Sequence, residues 1–359
     1  MNANRAAAPR FPFIDAIKAI ASQLIVLHHL AFYGPMSDYA QSLCPELISW
    51  LSQYARIAVQ AFLVAGGFLA AHALARDGRL VAKPIGRLLW RRYLKLVIPY
   101  LVALLLAILA AAAARNLIVH ESIPESPTAA QLVAHVFLLQ SVLGFDGLSA
   151  GVWYVAIDFQ LYAVLLLILW VAHRLIPDNP AIARGSVIAL LAASLLVFNR
   201  DAALDNWAIY FFGAYGLGVI TYWDTQKGRI GPWMAAAIAI AIAALWLDYR
   251  SRILVALLVA SGIGMARCTG FIECWPRSKV ITWLAQISYS VFLTHFPVCL
   301  VINAIFERFA PHSPSVQLGG MIVAWMASIA SGALLHHWVE LPAQSFRRKP
   351  KSSEAENRP

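Results

Sequence analysis

The stretch FIDAIKAIASQLIVLHHLAFYG, residues 13 to 34, is apolar enough to cross a membrane, yet it carries Asp15, Lys18, His28 and His29. Ionisable side chains at bilayer depth are costly, and where they persist they face a bundle interior or a water-filled cavity. Helical steps of about 100° place Asp15, Lys18, Ser22 and His29 on one stripe. From Lys18 to His29 the chain makes three turns plus about 20° and rises about 16 Å. His28 points about 100° away from that stripe and reads as a packing or interfacial residue. A plainer reading of Asp15 and Lys18 pairs them at i, i+3 and lets both snorkel at the span's end. A structurally bonded histidine is the plainer reading of His29.

The rest of the chain agrees with a membrane setting. Of 359 residues, 60% are hydrophobic and only 13% charged, with mean hydropathy +0.68. Soluble domains run nearer about 45–50% apolar and about 25% charged. Apolar runs of bilayer-spanning length recur near residues 12–33, 53–74, 93–114, 151–172, 183–199, 205–223, 232–247, 251–266, 282–305 and 316–338. The expectation is therefore an all-α integral membrane protein, a bundle of about ten transmembrane helices. The runs between 183 and 266 are the shortest. The segment AAQLVAHVFLLQSVL, 129–143, is too short to span and reads as interfacial or re-entrant.

Ten spans place both termini on one side. With that side inside, 21 of the 28 Lys and Arg residues lie in inner segments, seven of them between 76 and 95. The outer set is six arginines, Arg56, Arg115, Arg200, Arg250, Arg252 and Arg308, and Lys18 lies within the first span. That bias orients the chain N-in, C-in and absorbs most of the net charge of +10, so no nucleic-acid partner is implied. Residues 1–10 read as a cytoplasmic segment, 11–346 as the transmembrane domain, and 347–359 as a basic, disordered cytoplasmic tail. Lys18 interrupts the first apolar run and no A-x-A site follows, so the first span is expected to stay in the mature protein. Cys44, Cys268, Cys274 and Cys299 show no metal spacing and read as unpaired.

A second group of polar residues lies within the apolar runs. Asp158, in GVWYVAIDFQLYAV (151–164), sits about two turns into a span that begins outside, a depth His29 shares. A carboxylate beside an imidazole orients it and raises its basicity, making a base–orienter pair. The alternatives are an ion pair from Asp158 to an arginine or a hydrogen bond serving helix packing. Arg91, Arg92 and Lys95 stand at the inner mouth of the third span, placed there either by the positive-inside rule or to hold a polyanionic substrate. Ser288 lies on the face of His295 in ISYSVFLTHFPV (287–298). Glu340 follows His336 by four residues, close enough for a local ion pair.

In this order the pieces resemble the membrane-bound acyltransferase 3 family, which includes bacterial O-antigen and exopolysaccharide O-acetyltransferases. The opening FIDAIKAIASQLIVLHH resembles that family's F-x-x-D-x-x-R start with a histidine at R-x10-H, a spacing that selects His29 over His28. VQAFLVAGGFLA (59–70), RRYLKLVIPY (91–100), WYVAIDFQLY (153–162), ISYSVFLTHFPV (287–298) and VELPAQSFRRK (339–349) resemble its later segments. Three positions depart from the pattern: Lys18 stands for the usual arginine, Asp158 for the usual glutamate, and Gln60 for the usual acid.

The resemblance implies an O-acyltransferase of the bacterial inner (plasma) membrane with no permanently bound cofactor. It would use cytosolic acyl-CoA, with acetyl-CoA the expected donor, and an outer acceptor hydroxyl on a glycan or lipid-linked glycan. On this reading His29 is the general base and Asp158 its orienter. Lys18, Arg91, Arg92 and Lys95 hold the CoA phosphates, and Asp15, Tyr162, Ser288, Tyr289 and His295 line the tunnel. Two rivals remain: the same chemistry on a small hydrophobic metabolite, and a proton-coupled transporter or flippase, which buried ionisable residues suit equally well. A purely structural role would leave Lys18, His29 and Asp158 unexplained.

Overall fold

The computed structural model describes residues 10–177 and 179–346; the expectations for residues 1–9 and for the tail from 347 lie outside the described residues. The helices in chain order are α1 (Pro12–Phe32), α2 (Met36–Ala40), α3 (Pro45–Tyr54), α4 (Val59–Leu74), α5 (Ile85–Arg115), α6 (Ala129–Val136) and α7 (Val152–Leu175). There follow α8 (Pro180–Leu196), α9 (Ala208–Asp224), α10 (Pro232–Leu247), α11 (Ser251–Thr269), α12 (Lys279–Phe309), α13 (Pro314–Leu335) and α14 (Leu341–Phe346). One two-residue hairpin ribbon joins α9 to α10, with Thr225 opposite Ile230.

Local chemistry sets the boundaries. Proline opens α1, α3, α8, α10 and α13, where its missing N–H would be unpaired anyway. Asn179 and Ser278 cap α8 and α12 through side-chain oxygens. Gly270 ends α11 at φ +81°, a left-handed conformation that favours glycine.

Each of the ten apolar runs is largely helical, but among the described residues eight helical segments are long and apolar enough to cross a membrane. The shortfall is in α9 and α10, with 17 and 16 residues, against the roughly 20 that a hydrocarbon core asks for. Both still run from end to end of the bundle. Asn199 donates to Tyr210 O and accepts from Arg250, joining the α8–α9 and α10–α11 links at one end. Gly228 N donates to Cys268 O at the other. Helix α9 is short because protein surrounds it: it packs on α4, α7, α8, α10 and α11, and nearly all of its residues are buried. Among the described residues, α6 is a helix of eight residues followed by turns, so 129–143 is not a continuous helix.

The centre of the bundle is α12, packed on α1, α5 and α13, beside α4 crossing α9. The α4–α9 crossing depends on small residues. A Cβ on Gly67 would stand 2.0 Å from Tyr215 O, and one on Gly218 would stand 1.9 Å from Val64 O. Backbone contact of that closeness is how helices associate where apolar burial against lipid gives no net drive. Large apolar side chains such as Leu105, Leu109, Leu167, Leu258, Ile322 and Met326 face outward, as lipid rather than water would allow.

Candidate active site

Helices α1 and α12 carry the site between them. His29 Nδ1 lies 2.6 Å from His295 Nε2, the two rings meeting edge to edge with centroids 4.8 Å apart and planes within 13°. His295 Nδ1 reaches the Val291 carbonyl, one turn back on α12, at 3.3 Å. A carbonyl only accepts, so His295 Nδ1 carries its proton and the neutral ring leaves Nε2 as acceptor. His29 must then donate from Nδ1, and its Nε2 keeps a lone pair. That nitrogen has no partner among the described residues.

His29 lines a chamber of about 910 Å³, whose lining also includes His28, Gln60, Trp153, Tyr210 and Phe292; His295 stands behind it, outside the lining. Its mouth is built from loops at one end of the bundle and carries Arg56, Asp205, Arg250 and Arg252. Ser141, in the turns after α6, forms part of the wall. His28 is buried, its Nδ1 bonded to Leu51 O at 2.9 Å; besides packing, it faces the chamber.

The expected contact between Asp158 and His29 is not formed. Asp158 Oδ2 instead pairs with Arg92 Nη2 at 2.5 Å, and the Arg92 guanidinium lies over the Tyr162 ring at 5.1 Å. Counting turns gave the depth of Asp158 but not its azimuth, and α7 turns it toward α5. Arg92 and Lys95 stand on the first half of α5. Helix α5 begins at Ile85, eight residues before the apolar run, so these residues lie about 10 Å and 15 Å along it. Arg91 is exposed.

Lys95 is surface-accessible by area yet has Arg92, Lys18, Glu340 and Asp158 as charged neighbours. Lys18 Nζ donates to Ala285 O at 3.3 Å. Asp15 pairs with Arg10 at 3.6 Å rather than with Lys18. Ser288 Oγ bonds back to Ala285 O and Tyr289 Oη donates to Leu96 O, so both hydroxyl protons are used within the bundle. Glu340 is buried and accepts from Ser290, with His336 Nδ1 at 2.9 Å, the local pair its spacing suggested.

A second cavity, of about 400 Å³, lies at the opposite end, where α1 and α12 begin. Its lining includes Pro12, Cys274, Arg277, Lys279 and Trp283.

Fold and site together define a polytopic helical membrane protein with a hydrogen-bonded pair of histidines, one of which lines an open chamber. A family model described as an acyltransferase domain matches residues 11–335. The chain belongs to the acyltransferase 3 family and is a multi-pass membrane acyltransferase. No curated protein and no solved structure matches it.

Sequence reasoning placed Arg56 on one outer segment and Arg250 and Arg252 on another, and did not single out Trp153, Tyr210 or Phe292. Their convergence on one chamber joins segments some 200 residues apart, and no local pattern encodes that.

Proposed function

We propose that the protein transfers an acyl group, acetyl in the first instance, from cytosolic acyl-CoA to a hydroxyl of an outer glycan acceptor. The observation that carries this is His29 in the chamber lining, its Nδ1 fixed by His295 and its Nε2 left with a free lone pair. His29 Nε2 takes the proton of the acceptor hydroxyl as the oxygen attacks the thioester carbonyl. The C–S bond breaks, CoA leaves as thiolate, and the proton passes from His29 to that sulfur. Acyl ester and CoA thiol are the products. General-base assistance of this kind gives about 10²–10⁴-fold.

The donor reading draws on the opposite cavity, which offers Arg277 and Lys279 for phosphates and Trp283 as an apolar ring for the base. Trp283 and His295 are about 18 Å apart on α12 at 1.5 Å per residue, a span that an extended pantetheine arm bridges. Lys18 and Lys95 lie along that way. Orientation N-in, C-in puts this cavity on the cytosolic side of a bacterial inner membrane. Asp158 then acts through Arg92, fixing the wall beside the donor path, and not through His29.

The test uses purified wild type, His28→Ala and His29→Ala with radiolabelled acetyl-CoA and membranes of the source cell as acceptor. Label transfer that is lost in His29→Ala, with donor binding and fold retained, is expected. Transfer at the wild-type rate by His29→Ala refutes the base assignment, and no consumption of acyl-CoA by wild type refutes acetyl transfer.

A further inference from the structure

Acyl transfer accounts for His29 but not for the mouth of the chamber. Three of the six arginines at this end, Arg56, Arg250 and Arg252, line the one cavity, and Asp205 is the acid that faces them. Cations here run against the positive-inside bias that the rest of the chain follows, so membrane topology does not explain their convergence.

The three are not equivalent. Arg250 is a strut: its Nε lies 3.4 Å from Asp248 Oδ2, and its two Nη atoms donate to Asn199 Oδ1 at 2.7 Å and Leu195 O at 2.9 Å. Its charge is answered and its donors are occupied. Arg252 donates to Tyr210 Oη and to Asn199 O, the latter at 3.0 Å, and lies over the Tyr210 ring at 4.7 Å. Neither partner is an acid, so it is held in place with its charge uncompensated. Arg56 is exposed, and its side chain makes no hydrogen bond or ion pair with any described residue. Its charge acts on His28, in the chamber wall beside His29. Two unanswered guanidinium groups thus face one chamber from different elements, the link before α4 and the start of α11, against the single carboxylate of Asp205. A cleft with low-dielectric walls focuses such a field, and guanidinium geometry suits carboxylate and phosphate oxygens.

We propose that the acceptor is an anionic glycan, with a carboxylate or phosphate group held by Arg56 and Arg252 while a nearby hydroxyl meets His29 Nε2. This rests on the transferase reading above and narrows it. An uncharged hydrophobic metabolite would leave both cations unpaired in the chamber.

The test follows the native acceptor without needing its name. Purified enzyme, radiolabelled acetyl-CoA and a glycolipid and polysaccharide extract of the source membranes are combined, and the label that depends on His29 is passed over an anion exchanger. Retention of that label is expected. Mild acid, which cleaves sugar–pyrophosphate bonds, then separates the sources: retention abolished assigns the charge to a phosphate linkage, retention kept assigns it to a carboxylate. Arg252→Gln and Arg56→Gln should each raise the extract concentration for half-maximal labelling about tenfold or more. Arg308→Gln, at the same end but outside the chamber lining, should leave it unchanged. Label that runs through as neutral material, or unshifted curves for both chamber variants, overturns the anionic acceptor and leaves acyl transfer standing. No His29-dependent label overturns acyl transfer, and this inference with it.

Discussion

The replacement of His295 by phenylalanine tests the histidine pair most directly. Phenylalanine keeps an aromatic ring edge-on to His29, at the present centroid separation of 4.8 Å, but removes the Nε2 acceptor at 2.6 Å. The His29 Nδ1–H then loses its partner in the bundle interior, and nothing holds the Nε2 lone pair toward the chamber. An unsatisfied buried donor costs about 1–3 kcal/mol. If that penalty falls on the reactive tautomer, it enters the activation barrier and slows turnover about 5-fold to 150-fold, at 1.36 kcal/mol per decade. His29→Ala, which removes the base itself, should cost about 10²–10⁴-fold. His295→Gln offers a side-chain carbonyl to His29 Nδ1–H and should recover part of the loss. The assay is release of CoA thiol from acetyl-CoA in the presence of acceptor, read beside a thermal-shift curve for each variant. Wild-type turnover by His295→Phe would refute the positioning role. So would a folded His295→Gln as inactive as His29→Ala, which would make His295 the reacting base.

Asp158→Asn leaves Arg92 without its counter-ion in a largely enclosed position, which should destabilise the fold by about 3–5 kcal/mol. The loss in the double variant with Arg92→Leu should fall well short of the sum of the single losses, as thermal denaturation in detergent would show; simple additivity would argue against the pair. At the α4–α9 crossing, Gly218→Ala drives a Cβ to 1.9 Å from Val64 O and should cost about 1–3 kcal/mol or prevent folding. Gly262→Ala in α11, with nothing within 4 Å, should instead stabilise by about 0.5–1 kcal/mol; equal effects would refute the close-crossing argument. His135, buried outside the spans, has its Nδ1 on Gln131 O at 2.8 Å and accepts from Leu148 N–H at 3.2 Å. Burial holds its pKa below the usual histidine value, only partly offset by the Gln131 bond. The unfolded state therefore binds the proton more readily, and this contribution to stability, complete above about pH 6.5, falls as pH drops through the folded value. Hydrogen exchange at Leu148 should quicken at pH 5 relative to pH 8 beyond the intrinsic dependence, and should lose that excess in His135→Gln.

The sequence by itself determined the helical membrane class, because apolar runs of about bilayer length admit few other structures. The shared stripe of Lys18 and His29 was legible too, being a property of one helix, and the resemblance at residues 11 to 349 pointed to the family. Spacing along one helix equally gave His295 a place on the face of Ser288. What lay beyond reach was every relation between helices. Asp158 shares a depth with His29, but the rotation of α7 against α5 gave it to Arg92, and the packing of α1 on α12 gave His29 a histidine for partner. Helix α9 is short because it is enclosed by protein, which hydropathy along a chain does not register. The arginines at the chamber mouth come from loops that are distant in sequence and meet only once the bundle closes. Periodicity fixes which way a side chain points from its own axis; tertiary packing alone decides what it meets.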